Sequence, residues 1–278
     1  MNKLLVFQTD FGLDDGAISA MEGVSFCVDK DVNIRHLTHN ISQYNIFEAS
    51  YRLFQAISYW PEGTVFVSVV DPGVGSNRKS IVAKTITNQY IVTPDNGTLT
   101  HINEFVGIEE VRQIEEKTNR LKNSELSYTF HGRDVYAYTG ARLASDTITF
   151  EQVGPLVEKK DIVKLELYGC HKIENGIKGQ IDILDVRFGS LWTSIPYEDF
   201  KACGFDIGDN ILVEIFNKDK KVYSNRINYG KSFADVAINE SLIYMNSSYR
   251  MAVAINQASF SKAYGIGVGS DWKITMTK

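Results

Sequence analysis

The residues best suited to chemistry lie in one short segment, residues 127–134, which reads Ser-Tyr-Thr-Phe-His-Gly-Arg-Asp. It places the side chains of His131, Arg133 and Asp134 around Gly132, at the predicted start of a helix. Glycine lets a backbone approach another group closely, and neighbouring charges tune the proton affinity of a histidine. Taken alone, the segment is more typical of a capped helix with an ion pair. Two further segments favour an enzyme that acts on a small polar molecule.

The first of these segments is residues 9–16, Thr-Asp-Phe-Gly-Leu-Asp-Asp-Gly. It follows a short apolar run and precedes a helical pattern, so its carboxylates are expected at the edge where open α/β sheets bind ligands. A carboxylate at this edge commonly accepts hydrogen bonds from the two hydroxyls of a ribose. Asp14 or Asp15 could instead cap the helix. That alternative leaves Asp10 unexplained, because Asp10 precedes the cap position.

The second segment is residues 71–76, Asp-Pro-Gly-Val-Gly-Ser, which ends a β-branched apolar run. It lacks the Lys-Ser/Thr pair of a phosphate-binding loop and lacks a third spaced glycine, so nucleotide phosphate binding is disfavoured. A turn here could bring Asp71 and Arg78 together. The alternative interpretation is a glycine turn with a surface ion pair.

Other patterns associated with metal or covalent chemistry are weak. His36 and His39 have the spacing of a metal-binding pair, but no third ligand follows at a suggestive spacing, so the pair is expected to be solvated or capping and no metal site is predicted. No Gly-x-Ser-x-Gly segment is present, which excludes a nucleophile elbow. The three cysteines, Cys27, Cys170 and Cys203, are far apart, which predicts free thiols in a reducing cytoplasm.

The first half of the chain alternates strand-like and helix-like segments. Apolar or β-branched runs predict strands at 4–8, 32–37, 64–70, 80–85 and 89–93. Periodic apolar residues predict helices at 14–29, 46–59 and 134–143. This order predicts a layered α/β domain with a mostly parallel sheet, assigned to residues 1–160.

The second half of the chain has a different character. Residues 153–164 contain Gly154 and Pro155 beside a charged run, a composition typical of a linker. Short strand candidates follow at 178–185, 210–216, 221–225, 241–245 and 250–255, separated by Gly, Asn and Asp. This spacing predicts a C-terminal antiparallel β-barrel domain over residues 161–278.

Composition excludes several classes of protein. The chain has 278 residues, 44% of them hydrophobic, and a formal net charge of −5, without a cluster of Lys and Arg. Nucleic acid is therefore not an expected partner. The apolar run Leu4–Phe7 is interrupted by Asp10, so neither a signal peptide nor a membrane span is predicted. A cytoplasmic location is expected.

Five motifs occur in an order that resembles a known family. They are residues 9–16, 71–76, 94–97 (Pro-Asp-Asn-Gly), 130–134 and 185–193 (Asp-Val-Arg-Phe-Gly-Ser-Leu-Trp-Thr). From Leu4 to about Val268 the chain resembles the S-adenosyl-L-methionine hydroxide adenosyltransferases, relatives of the bacterial fluorinase and chlorinase. The resemblance implies an N-terminal α/β domain, a C-terminal β-barrel and a homotrimer with active sites between neighbouring subunits. It also implies hydrolysis of S-adenosyl-L-methionine to adenosine and L-methionine without a metal or organic cofactor.

The resemblance assigns the catalytic Asp–Arg–His triad of the family to Asp71, Arg78 and His131. These side chains would place a water in line with C5′ and relieve it of a proton, with either Asp71 or His131 as the base. It assigns ribose binding to acidic residues of the first motif, the methionine ammonium to Asp185 and the adenine edge to the backbone near Gln257. The substrate-binding residues implied in this way are Asp10, Asp15, Tyr44, Gly132, Asp185, Ser190, Trp192, Phe233, Ser247, Ser248 and Gln257.

Two departures from the fluorinase pattern concern substrate binding. Ser190 stands where fluorinase has an asparagine that reads adenine, and Ser248 stands where it has an arginine that grips the methionine carboxylate. Arg250, two residues further on, is a candidate substitute for that arginine.

Two alternative functions remain. The first is a halogenase, but fluorinase has a tyrosine in place of Asp71 and a serine in place of Gly132, and a carboxylate would repel a halide. The second is a non-catalytic module that binds S-adenosyl-L-methionine or adenosine. In the trimer that the resemblance implies, the aromatic side chains of Phe188, Trp192 and Phe233 are expected to be exposed on the subunit and buried at the interface.

Overall fold

The computed structural model describes residues 3–278, and the chain divides into two compact units. The N-terminal unit extends to Leu165, and the C-terminal unit comprises Glu166–Lys278. The predicted division lies between residues 160 and 161. Within the described range, no helix is both long and apolar enough to span a bilayer.

The N-terminal unit alternates strands with helices and begins with the predicted apolar strand. Its elements are β1 (Leu4–Thr9), α1 (Ala17–Val28), β2 (Asn33–Thr38), α2 (Ile46–Ile57), β3 (Val65–Val69), β4 (Ser80–Thr85), β5 (Tyr90–Pro94), α3 (Thr100–Phe105), β6 (Ile108–Gln113), α4 (Glu116–Asn119), α5 (Tyr138–Ala144) and β7 (Leu156–Val157). A π-helical turn, Gly132–Ala137, leads directly into α5.

These strands form one seven-stranded sheet in the order β2-β1-β3-β5-β4-β6-β7. The pairs β1–β2, β1–β3 and β3–β5 are parallel, whereas β4–β5, β4–β6 and β6–β7 are antiparallel. The prediction of a mostly parallel sheet was therefore wrong, because β4 and β5 are joined by a tight turn instead of a crossover helix. The parallel half is the part that positions the site, since β1 and β3 are neighbours and end together at Thr9 and Val69.

Both faces of the central strands β1 and β3 are buried. On β1, Leu5 and Phe7 belong to one apolar cluster and Val6 to the other, as the two-residue period of a strand requires. The helix α5 lies very close to the first face. A Cβ atom on Gly140 would lie 2.5 Å from Cγ2 of Val67, so only glycine fits at this contact.

The C-terminal unit is a closed barrel with two short helices. Its elements are β8 (His171–Ile173), β9 (Gly176–Leu184), β10 (Leu191–Pro196), α6 (Tyr197–Lys201), β11 (Asn210–Asn217), β12 (Lys220–Tyr229), β13 (Ser241–Met245), β14 (Arg250–Ile255), α7 (Phe260–Tyr264) and β15 (Trp272–Thr277). The order β9-β10-β14-β13-β12-β11-β15 returns to β9 and so closes the sheet, while β8 pairs with β9 alone. Closure removes the free edges that an open sheet would expose.

The barrel departs from the predicted antiparallel arrangement at one pair. β12 and β13 are parallel, with Asn228 opposite Leu242. Residues 230–240 cross back between the two strands instead of forming a hairpin. A helical turn at Phe233–Asp235 is part of this crossing, with a capping box made by the side chains of Ser232 and Asp235.

The segment predicted as a linker belongs to the N-terminal unit. β7 pairs with β6, and Gly154 lies against the end of β6 with a φ of 149°. A Cβ at this glycine would lie 2.2 Å from the carbonyl oxygen of Gln113, so the glycine marks close backbone packing. Composition alone did not separate this contact from a flexible connection.

Candidate active site

Asp71 and Arg78 form a buried ion pair directly after β3. Nε of Arg78 donates to Oδ1 of Asp71 at 2.8 Å, and Nη2 donates to the second carboxylate oxygen. The side chains are 11% exposed for Arg78 and 5% for Asp71. Gly75 has a φ of 79°, and a Cβ there would lie 3.1 Å from the carbonyl oxygen of Tyr128. The glycines of the loop thus allow it to fold back and bring the two charges together.

His131 contacts this ion pair from the start of the π-helical turn. Its Nδ1 lies 3.2 Å from Nη2 of Arg78, and the residue is only 5% exposed. Burial lowers the pKa of His131 below its ordinary value, and the guanidinium of Arg78 acts in the same direction. The imidazole is therefore neutral at pH 7 and keeps a lone pair. Asp71, Arg78 and His131 lie in one connected cluster.

The cluster is anchored in the core of the N-terminal unit through Tyr136. Nη1 of Arg78 donates to Oγ of Ser80 at 3.1 Å, and this oxygen lies 3.1 Å from the hydroxyl of Tyr136. The guanidinium of Arg78 also lies over the Tyr136 ring, 5.6 Å from its centre. Burial raises the pKa of Tyr136, so the phenol stays protonated and can share hydrogen bonds with Ser80.

A cavity of about 640 Å³ opens beside the cluster. Asp71 forms part of its wall together with side chains from the first motif and from the segment before His131. The lining residues are Asp10, Phe11, Asp15, Gly16, Ala17, Gln43, Tyr44, Asp71, Thr129 and Phe130. The volume is in the range of small-molecule sites. Carboxylates from the ends of β1 and β3 therefore face one space.

Three residues predicted to bind substrate line this cavity. Oδ2 of Asp10 accepts a hydrogen bond from the backbone nitrogen of Tyr44 at 2.9 Å. Tyr44 has a φ of 65° and is 69% exposed, an uncommon conformation for a tyrosine. Oδ1 of Asp15 accepts from the backbone nitrogen of Ala17 at 2.8 Å, so Asp15 satisfies the first backbone donor of α1, although the N-cap residue is Gly16. Asp10 has no such capping role, as the sequence predicts.

Gly132 supports the cavity wall from behind. A Cβ on this residue would lie 3.1 Å from Cε2 of Phe11 and 3.3 Å from Cε2 of Phe130, and both aromatic residues line the cavity. The helix predicted to begin at Asp134 begins two residues earlier, as a π-helical turn. This wider turn is common at functional sites and was not visible in the sequence pattern.

The C-terminal unit has a cavity of its own, of about 510 Å³. It is lined by Arg187, Phe188, Phe233, Ile255, Asn256, Gln257 and Ala258. Phe188 is 70% exposed and Phe233 is 38% exposed. Gln257 follows β14 with a φ of 59°, which turns its backbone at the cavity. The predicted residues Phe233 and Gln257 are thus brought together in this unit.

Asp185, Ser190 and Trp192 lie around the turn that carries Phe188. Oδ1 of Asp185 accepts from the backbone nitrogens of Arg187 and Phe188, at 3.1 and 3.3 Å, and its own nitrogen donates to the carbonyl of Ser190. Ser190 is 2% exposed and Trp192 is 7% exposed. The expectation that Trp192 is exposed was wrong, because Trp192 pairs across to Ala252 on β14 and packs within the barrel wall.

The serines expected at the methionine carboxylate lie in the turn between β13 and β14. Ser247 is exposed, and the backbone nitrogen of Ser248 donates to Oδ1 of Asn246 at 2.9 Å. They are not part of the cavity lined by Gln257. Arg250 is 8% exposed, and its Nη1 donates to the carbonyl of Ser194 at 2.9 Å. The structure thus contradicts the suggestion that Arg250 replaces the missing arginine, because its guanidinium is used inside the unit.

Sequence reasoning missed two residues beside His131. Nη1 of Arg120 lies 3.5 Å from Nε2 of His131 and donates to Oε2 of Glu116 at 2.8 Å. The only signal in the sequence is the spacing of four residues between Glu116 and Arg120. Such pairs are frequent on solvated helices, so the spacing alone does not indicate a site.

His36 and His39 form a hydrogen-bonded chain that ends at β1. Glu22 contacts Nε2 of His36 at 3.0 Å, the two imidazoles are joined at 2.7 Å, and Nδ1 of His39 lies 2.9 Å from Oγ1 of Thr9. Oγ1 of Thr9 also accepts from the backbone nitrogen of Phe11 at 3.2 Å. The pair was predicted to be solvated or capping. It instead holds the backbone on both sides of Asp10.

Comparison with known proteins follows the same division of the chain. Residues 5–154 match the SAM hydroxide adenosyltransferase N-terminal domain, and residues 179–273 match the C-terminal domain of that family. A protein of Methanocaldococcus jannaschii named (R)-S-adenosyl-L-methionine hydrolase is 38% identical over 221 residues, covering 78% of this chain and 74% of its own. A protein of the same name from Salinispora tropica is 30% identical over 270 residues, covering 97% and 96%.

A further relative and a solved structure cover nearly the whole chain. A fluorinase of Actinopolyspora mzabensis is 22% identical over 296 residues, covering 98% of this chain and 97% of its own. The crystal structure of an uncharacterized conserved protein from Thermotoga maritima has a TM-score of 0.89 and 31% identity, covering 99% of this chain and 100% of its own. Both family domains match in order and together cover most of the sequence. The chain therefore belongs to the SAM hydroxide adenosyltransferase family.

Proposed function

We propose that the protein hydrolyses S-adenosyl-L-methionine at C5′ and releases adenosine and L-methionine. The observation that carries this proposal is the contact between Asp71, Arg78 and His131 beside a cavity to which Asp10 and Asp71 both contribute. The family supports it, as do the two relatives named hydrolases at 38% and 30% identity.

The reaction is a displacement at carbon. The water oxygen forms a bond to C5′ while the C5′–S bond breaks, its electron pair returns to sulfur, and one proton leaves the water. The leaving group starts as a cationic sulfonium and departs as the neutral thioether of methionine. Because this group leaves without further activation, the proposal includes no metal and no organic cofactor. The protein has to place the water in line and help remove its proton.

The three clustered residues divide these tasks. The ion pair of Asp71 and Arg78 offers a hydrogen-bond acceptor and hydrogen-bond donors side by side, so it can orient a water. His131 is neutral, and its lone pair can take up a proton. Asp71 and His131 are the two candidate bases, and Arg78 stabilises the oxygen as negative charge develops on it.

The N-terminal cavity is proposed to hold the sugar. Asp10 has an oxygen fixed by the Tyr44 backbone, which leaves the carboxylate oriented towards the cavity that it lines. In this proposal Asp10 accepts hydrogen bonds from the ribose hydroxyls, and Asp15 lies beside the same ring. The exposed ring of Tyr44 would cover the sugar. Gly132 keeps Phe11 in place as part of the wall.

The C-terminal cavity is proposed to hold adenine. Phe188 and Phe233 offer aromatic surface, and the turned backbone at Gln257 offers hydrogen-bonding groups for the edge of the base. Asp185 would face the methionine ammonium, with Ser190 and Trp192 behind it. Ser247 and Ser248 would bind the methionine carboxylate.

The assembled enzyme is proposed to be a homotrimer whose sites combine one subunit's N-terminal unit with a neighbour's C-terminal unit. Each unit exposes large apolar side chains at its cavity, namely Tyr44 (69%) in the first and Phe188 (70%) in the second. Exposed apolar surface beside a cavity is typical of an interaction surface or a ligand-binding groove. A shared site would cover both.

A halogenase is the less favoured alternative. The relatives named fluorinases support it, at 22% identity for the protein from Actinopolyspora mzabensis. The carboxylate of Asp71, which lines the cavity, would repel a halide from the position of the nucleophile. We therefore expect fluoride or chloride to be a poor substitute for water.

Turnover separates the proposed enzyme from a binding module. Purified protein incubated with S-adenosyl-L-methionine should release adenosine and methionine in equal amounts, resolved by chromatography. The same incubation with chloride or fluoride should give no 5′-halogenated nucleoside. Heat of binding in calorimetry without any product would support a non-catalytic module and contradict the proposal.

A further inference from the structure

Arg120 contacts the imidazole of His131 at Nε2, the ring nitrogen that does not face Arg78. Its side chain is only 6% exposed, although it follows the four-residue helix α4 near the surface. Nε donates to Oγ of Ser124 at 3.1 Å, and Nη2 donates to the carbonyl of Ser127 at 2.7 Å. The guanidinium also lies over the Tyr128 ring, 5.1 Å from its centre. Arg120 thus fixes the segment that leads to His131.

The imidazole of His131 lies between two guanidinium groups. Nδ1 is 3.2 Å from Nη2 of Arg78, and Nε2 is 3.5 Å from Nη1 of Arg120. A neutral imidazole has one lone pair and one N–H, so it can accept from one of the two arginines. A protonated imidazole would point an N–H at a cation on both sides. The two arginines together therefore oppose protonation of the ring.

Charged groups from every neighbouring element face this ring. Asp71 and Arg78 come from the loop after β3, and Glu116 and Arg120 come from α4 and the residue after it. The ring of Tyr128 lies edge-on, with 6.4 Å between the ring centres. Burial is the largest influence and lowers the pKa of His131. Glu116 raises it, Arg78 and Arg120 lower it, and Asp71 raises it.

We propose that Arg120, paired with Glu116, is a positioning residue that keeps His131 neutral and correctly placed, so that Arg120 and Glu116 set the pH at which hydrolysis begins. This inference rests on the proposed function, in which the neutral ring is the active form. Arg120 does not touch the substrate in this account and acts only through His131. Glu116 has two effects, because it holds Arg120 and also attracts a proton towards the ring.

The test compares the pH dependence of kcat/KM in two variants that change the charge near His131 in opposite directions. Arg120→Met removes a cation beside His131, so activity should begin at a higher pH, by roughly half to one pH unit. Glu116→Gln removes an anion, so activity should begin at a lower pH. Arg120→Lys keeps a cation and should restore the onset towards that of the wild type.

Arg112 offers a matched control. Its guanidinium also pairs with a glutamate, Glu110, donates to a backbone carbonyl, that of Gly154, and lies over an aromatic ring, that of Phe150. Arg112→Met should leave the onset unchanged, because Arg112 is not among the charged groups that act on His131. If Arg120→Met does not fold, Glu116→Gln carries the test, since the Glu116 side chain is 38% exposed and its replacement is nearly isosteric.

A direct titration separates this inference from the proposed function. NMR of protein with isotope-labelled histidine, assigned with the His131→Gln variant, follows the protonation of His131 without substrate. Opposite shifts of the His131 titration in Arg120→Met and Glu116→Gln would support the inference even if no adenosine were released. Adenosine release tests the proposed function separately. The contrary result is that Arg120→Met and Glu116→Gln lose activity equally, with the pH at which activity begins and the titration of His131 both unchanged. That result would show that Arg120 is only structural and would overturn the inference.

Discussion

The site is built from side chains that restrain one another. Arg78 donates to Asp71 through two nitrogens, to Ser80 through a third, and faces His131 with Nη2. A guanidinium has a fixed planar geometry, so these contacts define where each partner lies. Losing any one of the three clustered residues should therefore disturb both the placing of a water and the removal of its proton.

We expect His131→Ala, Asp71→Asn and Arg78→Ala each to lower turnover by roughly 100-fold, because general-base and electrostatic assistance are lost. The melting temperature should change only modestly, since the cluster lies at the edge of the core. The measurement is the initial rate of adenosine release together with a thermal melt. His171→Ala, at an exposed residue of β8, is the control and should keep the wild-type rate.

Full activity in His131→Ala would contradict this account at the residue scale. Unfolding of all three variants would favour the simpler interpretation, in which the cluster is an ion pair that holds a loop. Both outcomes differ clearly from a folded protein that has lost its turnover.

At the residue scale the sequence predicted much of this arrangement. Asp71 and Arg78 were recognisable from the sequence. Asp71 follows a strand, two glycines come next, and the positive charge of Arg78 stands seven residues after Asp71, so a loop that brings the two charges together is expected. Arg120 was not recognisable, since its position beside His131 depends on how residues 121–130 return to the cluster. The role suggested for Arg250 failed for the same kind of reason, because its burial depends on the packing of the barrel.

At the scale of elements, the end of β1 is held by the hydrogen-bonded chain of Glu22, His36, His39 and Thr9. His39 is 5% exposed, and burial, together with the neighbouring His36, lowers its pKa from 6.5 to about 4. A neutral imidazole can accept at one nitrogen and donate at the other. The chain can therefore satisfy every member and still fix the backbone that carries Asp10.

This arrangement predicts a specific dependence of stability on pH. Between pH 6.5 and 4 the unfolded chain binds a proton at His39 and the folded chain does not, so the free energy of unfolding falls as the pH falls. The contribution of His39 over this range is roughly 3 kcal/mol. His39→Gln should remove it, as measured by urea unfolding at several pH values.

At each pH, the free energy of unfolding of His39→Gln must be compared with that of the wild type. Burial raises the pKa of Asp182, in the C-terminal unit, to about 7. The folded state therefore holds this proton more tightly than the unfolded state, and the effect on stability has the opposite sign over the same range. His171→Gln serves as the exposed control. Parallel curves for wild type and His39→Gln would contradict the role assigned to His39.

Sequence patterns located most elements but not their details. The strands Ser241–Met245 and Arg250–Ile255 have the predicted bounds, because each is a short, nearly continuous apolar run bounded by polar turn residues. The strands β10 and β15 were missed, although Trp272–Thr277 alternates apolar and polar residues as a half-buried strand does. The parallel β12–β13 pair depends on a crossing that no local pattern shows.

At the scale of the whole molecule, the proposed site draws on both units. Asp10 and Asp15, which are proposed to bind the sugar, lie in the N-terminal unit, whereas Asp185 lies in the C-terminal unit. The proposed homotrimer would join an N-terminal unit to the C-terminal unit of a neighbour. This arrangement predicts that subunits with different defects can repair one another.

We expect activity to return partly when His131→Ala and Asp185→Ala proteins are dissociated, mixed and reassembled. Some of the hybrid sites would then be wild type at both positions. The measurement is the rate of adenosine release after mixing, with each variant reassembled alone as the control. Light scattering should give the mass of a trimer. A fully active monomer, or no rescue despite proven subunit exchange, would rule out the shared site.

The central claim is that water attacks C5′ of S-adenosyl-L-methionine, and isotope labelling tests it most directly. The reaction is run in water enriched in oxygen-18, and the adenosine is examined by mass spectrometry. The 5′ oxygen of adenosine should carry the heavy isotope, and methionine should be released unlabelled. Adenosine without the label, or no adenosine at all from folded protein, would contradict the account.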